Sequence, residues 1–246
     1  MNNPFSLSGK TILVTGASAG IGRGIAIACA GMGAHVVLTA RNAERLQETL
    51  SMLEGEGHSY IVADLTIETQ RAALVNQLPM LDGVVQCAGV GSRVPCKMLS
   101  QEDLDHVMKP NTEAPMLLQA LLLNEKKIQK QASVVFIASA AATMPTAGNA
   151  VYSASKAAMV AYAKCLALEL APRQIRVNCI SPTMVWTDLA LVGATTEQLT
   201  EAEKHYPLKR YGKPEDIAHL AVYMLSDASQ WMTGSDVQIT GGSQML

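Results

Sequence analysis

Short apolar runs rich in β-branched residues recur along the chain, separated by longer segments of mixed character. Residues 11–15, 36–39, 60–62, 83–85, 134–137, 175–180 and 236–239 are such runs, which gives seven predicted strands. Their apolar residues are consecutive rather than alternating. That pattern belongs to strands buried on both faces, as in a parallel sheet covered by helices. Between them, residues 20–31 read as a helix rich in Ala, Ile and Gly, and Asn42 is placed to cap the start of a polar helix. An apolar helix is predicted over 115–123 and a longer one over 153–171. Strand and helix alternate without a linker, repeat or low-complexity tract. The pattern therefore predicts one doubly wound α/β domain over residues 1–246. The weakly patterned stretch 183–211 is too long for an ordinary connection, and a lid over a substrate is the expected role.

Composition narrows the picture. The apolar set makes up 49% of the 246 residues and charged residues 16%, below a typical ~25%, so the chain can build a large core. Nineteen basic against 21 acidic residues leave a net charge of −2, which argues against a nucleic-acid binder. No run approaches ~18 apolar residues, so no membrane span is expected. The first residues carry no basic start followed by an apolar stretch, so no secretory signal is expected. Five cysteines without a CxxC pair fit free thiols in the cytoplasm, and no His/Cys spacing suggests a metal site.

Candidate chemistry begins after the first strand, at Thr15-Gly16-Ala17-Ser18-Ala19-Gly20-Ile21-Gly22. Gly16 suits the tight turn, Gly20 lets backbone approach a pyrophosphate, and Gly22 suits close packing of the helix on the sheet. The helix N-terminus then offers N–H groups and a positive dipole end to the phosphates. Farther on, Tyr152 and Lys156 lie four apart at the start of a helix, so their side chains share a face. A phenol ordinarily titrates near ~10, and a neighbouring cation favours its phenolate. The pair can thus serve as general acid for a carbonyl oxygen or base for an alcohol. Ser139 follows the fifth strand, at the sheet edge where such folds bind ligands, and its hydroxyl suits orienting that oxygen. Asn111 follows a proline just before the 115–123 helix, where an ordinary N-cap is an alternative to a place in the site.

TGxxxGIG followed by Ser139, Tyr152 and Lys156 resembles the short-chain dehydrogenase/reductase family, along the whole chain. The resemblance implies a single Rossmann-type NAD(P)-binding domain with a parallel sheet of about seven strands. It implies an NAD(P)H-dependent oxidoreductase that interconverts a ketone and a secondary alcohol. It further implies that Asn111 holds a water relaying protons to Lys156, and that Lys156 also anchors the nicotinamide ribose. Ser18, Ile21, Asp64, Leu65, Ala88, Gly89, Pro182, Val185 and Thr187 fall at the family's cofactor-binding positions, with Asp64 at the adenine end. Two departures stand out: Cys87 replaces an Asn that braces the sheet, and Thr183 replaces a Gly, which puts the backbone there in question.

Arg173 and the GKPEDIA segment are most similar to 3-oxoacyl-(acyl-carrier-protein) reductases. Sugar, steroid and polyol dehydrogenases share much of this, and a dinucleotide-sensing protein without turnover is a further alternative. NADP(H) is expected in preference to NAD(H), because Ala40 stands where NAD users carry an acid and Arg41 can pair with a 2′-phosphate. Ala19 stands where many NADP users carry a second cation. The resemblance also implies a homotetramer, the helix with Ala154, Ala157, Ala158 and Ala161 pairing with the apolar helix 115–123 across a two-fold axis, and the C-terminal Ser243-Gln244-Met245-Leu246 shaping a neighbour's lid. Lys126, Lys127, Lys130 and Arg173 are expected beside the cleft, where they would steer an acidic carrier protein.

Overall fold

The structure, a computed structural model, describes residues 3–192 and 194–243. Its strands are β1 (Thr11–Thr15), β2 (His35–Ala40), β3 (Ser59–Val62), β4 (Leu81–Gln86), β5 (Ile128–Ile137), β6 (Arg176–Pro182) and β7 (Asp236–Ile239). They form one sheet in the order β3-β2-β1-β4-β5-β6-β7, and every neighbouring pair is parallel. The order reverses between β1 and β4, and the C-terminal strand ends there open a crevice. The helices are α1 (Gly20–Gly31), α2 (Ala43–Ser51), α3 (Glu68–Gln77), α4 (Gln101–Met108), α5 (Ala114–Asn124), α6 (Ala150–Leu170), α7 (Thr196–Glu203) and α8 (Pro214–Leu225).

The consecutive apolar runs do what a two-sided sheet requires. Leu13, Val84, Val134, Phe136 and Val177 join one core with Leu74 of α3, Leu118 of α5 and Met159 of α6. Their strand neighbours Ile12, Val14, Val85, Val135 and Ile180 join the other, with Ile25 of α1, Leu46 of α2 and Ile217 of α8. Asn42 caps α2 as expected, its Oδ1 accepting from the Arg45 N–H at 2.8 Å.

Several boundaries differ from the sequence pattern. α6 begins at Ala150 rather than 153, because the chain turns at Gly148, whose φ is +78°, so Tyr152 already lies in the first helical turn. The segment 183–211 is not unstructured. It holds a 3-10 turn at Asp188–Leu191 and α7, closed by a Thr195/Gln198 capping box. α4 and α5 run on through one π turn, Lys109–Glu113. Pro110 and Pro115 lack the N–H groups that a regular helix would use there, and the coil widens. The C-terminal residues Gln244, Met245 and Leu246 lie outside the described residues.

Candidate active site

The turn after β1 is shaped by glycines that carry no room for a side chain. Gly16 has φ +65°, and a Cβ there would sit 2.9 Å from the Ala88 backbone after β4. Gly20 has φ +53°. A Cβ at Gly22 would run into the backbone of Gly16 and Ala17, so its absence lets α1 start close against the end of β1. Gly24 in turn lets α1 approach α8, its Cβ position being 2.8 Å from Pro214. Ala19, the N-cap of α1, has no side-chain hydrogen bond to the helix, so the first N–H groups face the crevice without an internal acceptor. This cradle fits a pyrophosphate.

Two side chains that sequence reasoning missed hold the turn. The buried Thr15 hydroxyl accepts from the N–H groups of Cys87 and Ala88, at 3.0 and 3.1 Å, and so fixes the end of β4 against β1. This bond supports the segment where Cys87 stands. Cys87 packs on the core, and burial pushes its thiol up to about 12, which makes it an inert apolar residue. Arg23 donates from Nη2 to the Ser18 carbonyl at 2.6 Å and from Nε to Thr49 Oγ1 at 2.9 Å. Its position directly after Gly22 was the available signal.

The catalytic candidates gather at the C-terminal ends of β4 and β5. The buried Lys156 Nζ donates to the Ile137 carbonyl at 2.9 Å and lies 5.8 Å from the centre of the Tyr152 ring. Ser139 begins a 3-10 turn, its Oγ accepting from the Ala141 N–H at 3.1 Å. Asn111 is not an N-cap. It sits in the π turn, where Oδ1 accepts from the Val90 N–H at 2.8 Å and Nδ2 donates to the Val90 carbonyl at 2.9 Å and to Ser155 Oγ at 3.2 Å. Gly89 lies over both groups: a Cβ there would meet Asn111 Oδ1 at 3.0 Å and Lys156 Nζ at 3.5 Å. Asn111, Gly89 and Lys156 are thus one cluster, with Tyr152 one helical turn away on α6.

After β6 the chain crosses this cluster. Thr183 has no left-handed backbone, and ties the end of β6 to the end of β7 through Ile239 and Thr240, so its replacement of Gly brings no strain. Val185 bridges to Gly212, and Pro182 accepts from Ser139 Oγ at 3.5 Å. Thr187 Cγ2 comes to 3.0 Å from the Cβ position of Gly20, on the phosphate turn. Leu189 Cδ1 likewise reaches 3.0 Å from the Cβ position of Gly91. Trp186 Nε1 donates to Glu203 Oε2 at 2.8 Å, and Trp186, Tyr206 and Tyr211 stack edge to face or tilted behind it.

At the adenosine end, Arg41 is exposed just after β2. Asp64 follows β3, one residue after Ala63, whose N–H donates to the Ala40 carbonyl at 3.0 Å. Burial opposes its charge, but hydrogen bonds from the Thr66 N–H and hydroxyl and the field of Arg41 outweigh it and hold the carboxyl below its usual range. Asp64 therefore both caps its loop and faces the rim. Leu65 is buried, and its carbonyl accepts from the buried Arg71 at 2.7 Å.

One expectation is overturned by position. Lys126, Lys130 and Arg173 line a depression of about 780 Å³ beside the first residues of β4 and β5. Those are the N-terminal strand ends, whereas Gly16, Gly89 and Ser139 follow the C-terminal ends. The basic cluster is on the opposite edge of the sheet from its own chain's cleft. Among the described residues, no group of three His, Cys, Asp or Glu could hold a metal, and no helix is long and apolar enough to cross a membrane.

A glycine cradle at the switch point of a parallel sheet, beside Ser139, Tyr152, Lys156 and Asn111, suits the chemistry of a dinucleotide-linked oxidoreductase. A family model described as enoyl-(acyl carrier protein) reductase matches residues 16–244. The chain belongs to the short-chain dehydrogenase/reductase family. It is 30% identical to the 3-oxoacyl-(acyl-carrier-protein) reductase FabG of Rickettsia felis, over 98% of this chain and 100% of that one. It is 34% identical to a D-threitol dehydrogenase of Mycolicibacterium smegmatis, over 97% of this chain and 94% of that one. A crystal structure from Beutenbergia cavernae, provisionally assigned as an NAD(P)-dependent gluconate 5-dehydrogenase with NADP bound at low occupancy, superposes with a TM-score of 0.89. It shares 32% identity and covers 99% of this chain and 100% of that one.

Proposed function

We propose that the protein is an NADP(H)-dependent reductase of a ketone to a secondary alcohol, with a 3-oxoacyl thioester as its substrate. The observation that carries the reaction class is the meeting of Asn111, Gly89 and Lys156 next to Tyr152 and the phosphate turn. A reduced nicotinamide supplies a hydride to the carbonyl carbon when bound. The chain's residues handle the oxygen and its proton. The Tyr152 hydroxyl donates the proton, Ser139 Oγ orients the carbonyl oxygen, and the Lys156 cation favours the phenolate left behind. Lys156 also holds the ribose; it passes a proton on to the Tyr152 phenolate, and Asn111 steadies a water that replaces the proton on Lys156.

The cofactor is held by Gly16, Ser18, Gly20, Ile21 and Gly22 at the phosphates, by Asp64 and Leu65 at the adenine, and by Ala88 and Gly89 along the ribose. Pro182 and Val185 hold the nicotinamide side, and Thr187 a phosphate oxygen. Arg41, with Ala40 before it, favours a 2′-phosphate. Residues 183–211 serve as the lid of a single domain. Leu189, Leu191 and Val192 are 42%, 42% and 43% exposed on it, an apolar set suited to an acyl chain, whereas Leu199 and Tyr211 face inward. The relatives named above act on acyl thioesters and on polyols, so the decisive experiment is a substrate panel. NADPH oxidation should be fastest with 3-oxoacyl thioesters. Faster turnover of a sugar or polyol pair would move the substrate, and cofactor binding without turnover of any ketone would make the protein a sensor.

We also propose a homotetramer. Ala154, Ala161 and Leu168 of α6 and Leu117 of α5 are exposed in the single chain, an apolar helical face suited to burial against a second copy. Light scattering that finds only monomer at micromolar concentration would refute it.

A further inference from the structure

We infer that Arg45 is a second cofactor-reading cation, held in reserve by Asp188 of the lid, and that a 2′-phosphate takes it from Asp188. The inference rests on the NADP(H) reading above and adds a residue and a competitor to it.

The topology puts the pair across the crevice. Asp188 belongs to the segment that leaves β6, while Arg45 lies in the first turn of α2, just after β2. In the sheet order, β2 and β6 are four strand spacings apart, roughly 19 Å at about 4.8 Å each. The segment spans β5, β4 and β1 to arrive there. On the way Thr187 settles against Gly20 of the phosphate turn. Arg45 Nη1 then meets Asp188 Oδ2 at 3.1 Å. The pair closes over the phosphate turn at the side where β2 ends and Arg41 begins.

The charges around this rim single out Arg45. Arg23 is already committed, to the Ser18 carbonyl, to Thr49 and to Glu48 at 3.1 Å. Arg41 faces the field of Asp64. Glu44 and Glu48 are the acids of α2 itself, and Glu48 is taken by Arg23. Arg45 has Asp188 as its ion-pair partner, and both side chains are exposed, at 52% and 72%. An exposed pair of this kind is weak and easily exchanged. A 2′-phosphate carries more charge and more acceptor oxygens than a carboxylate, and a guanidinium pairs with it bidentately. Ala19 leaves the glycine turn without a cation, and Arg45 supplies one from the opposite wall.

The exchange predicts opposite signs for the two partners. Binding of NADPH and NADH is measured through cofactor fluorescence, for wild type, Arg45→Ala, Asp188→Asn, the double variant and Arg41→Ala. Arg45→Ala should weaken NADPH about fivefold more than NADH, the ratio expected of one exposed charge contact. Asp188→Asn should release Arg45 and tighten NADPH about twofold without tightening NADH. In the double variant that gain should vanish. Equal losses for both cofactors in Arg45→Ala, or weaker NADPH binding in Asp188→Asn, would overturn the inference and leave the pair as a mere strap. Arg41→Ala reports separately on the reading beneath it. If Arg41 leaves the cofactor ratio unchanged while Arg45 shifts it, the earlier assignment fails and this one stands.

Discussion

On the proposed catalytic side of the crevice, Lys156 and Asn111 are 6% and 2% exposed, and their polar atoms reach backbone groups of Ile137 and Val90. On the proposed adenosine side, Arg41, Arg45 and Asp188 stand in solvent, and the one direct ion pair among them is exposed. The difference is physical. Buried groups bonded to backbone have a single geometry, because any displacement leaves an unpaired polar group. Exposed charges have several geometries at similar free energy. Proton transfer needs the first kind of support, and a choice between two cofactors can be tuned with the second.

The sharpest break in that comparison is Tyr152→Phe. Turnover should fall by about 10³-fold, the scale of a lost general acid, with NADPH binding within about twofold of wild type, since exposed contacts on the other side carry the affinity difference. Activity within a few-fold of wild type would remove Tyr152 from the chemistry. Asn111→Ala should come next. It leaves the Val90 N–H and carbonyl without their partners, at a cost of about 2–3 kcal/mol in unfolding free energy, readable in urea denaturation. Turnover should drop along with it. A variant as stable as wild type would mean that water replaces the amide and that the catalytic side is less rigid than argued. Arg41→Ala tests the other side. It should lower the NADPH-to-NADH preference in kcat/KM about tenfold, the low end for a charge-assisted contact, and leave stability unchanged.

The same division explains what the sequence made legible. The glycine turn, the Tyr152/Lys156 pair and the seven apolar runs are local patterns, and each run coincides with a strand, although β5 starts at Ile128, six residues before its run. Asn111 was legible as a residue but not as a geometry, because the π turn depends on two prolines interrupting one continuous helix. Arg45 and Asp188 are 143 positions apart, and only the strand order brings them together. Lys126, Lys130 and Arg173 misled for the converse reason. They border β5 and β6, which also carry site residues, but at the strands' N-terminal ends. A strand's two ends are equally close in sequence and lie on opposite edges of the sheet.

The smallest expected effect is at the root of the lid, where Asp216 at the start of α8 receives both Nη atoms of Arg210, at 2.7 and 3.0 Å, and the Lys213 N–H at 2.7 Å. The Arg210 bonds, followed by the Lys213 bond, bring its carboxyl down to about 2, from an ordinary 3.8. A folded-state value below the unfolded one means that the charged form stabilises the fold. That contribution is complete above about pH 4 and is lost as pH falls toward 2. Solvent reaches both partners, so screening limits it to about 1 kcal/mol or less. Asp216→Asn should therefore lower the urea midpoint slightly at pH 7, and the gap to wild type should close between pH 4 and pH 2. A gap that stays constant with pH would place the stabilisation in the bond from Lys213 rather than in the charge. The lid root would then resemble the catalytic side, where backbone partners do the holding, and the contrast between the two halves would have to be drawn farther out, at Arg45 and Asp188.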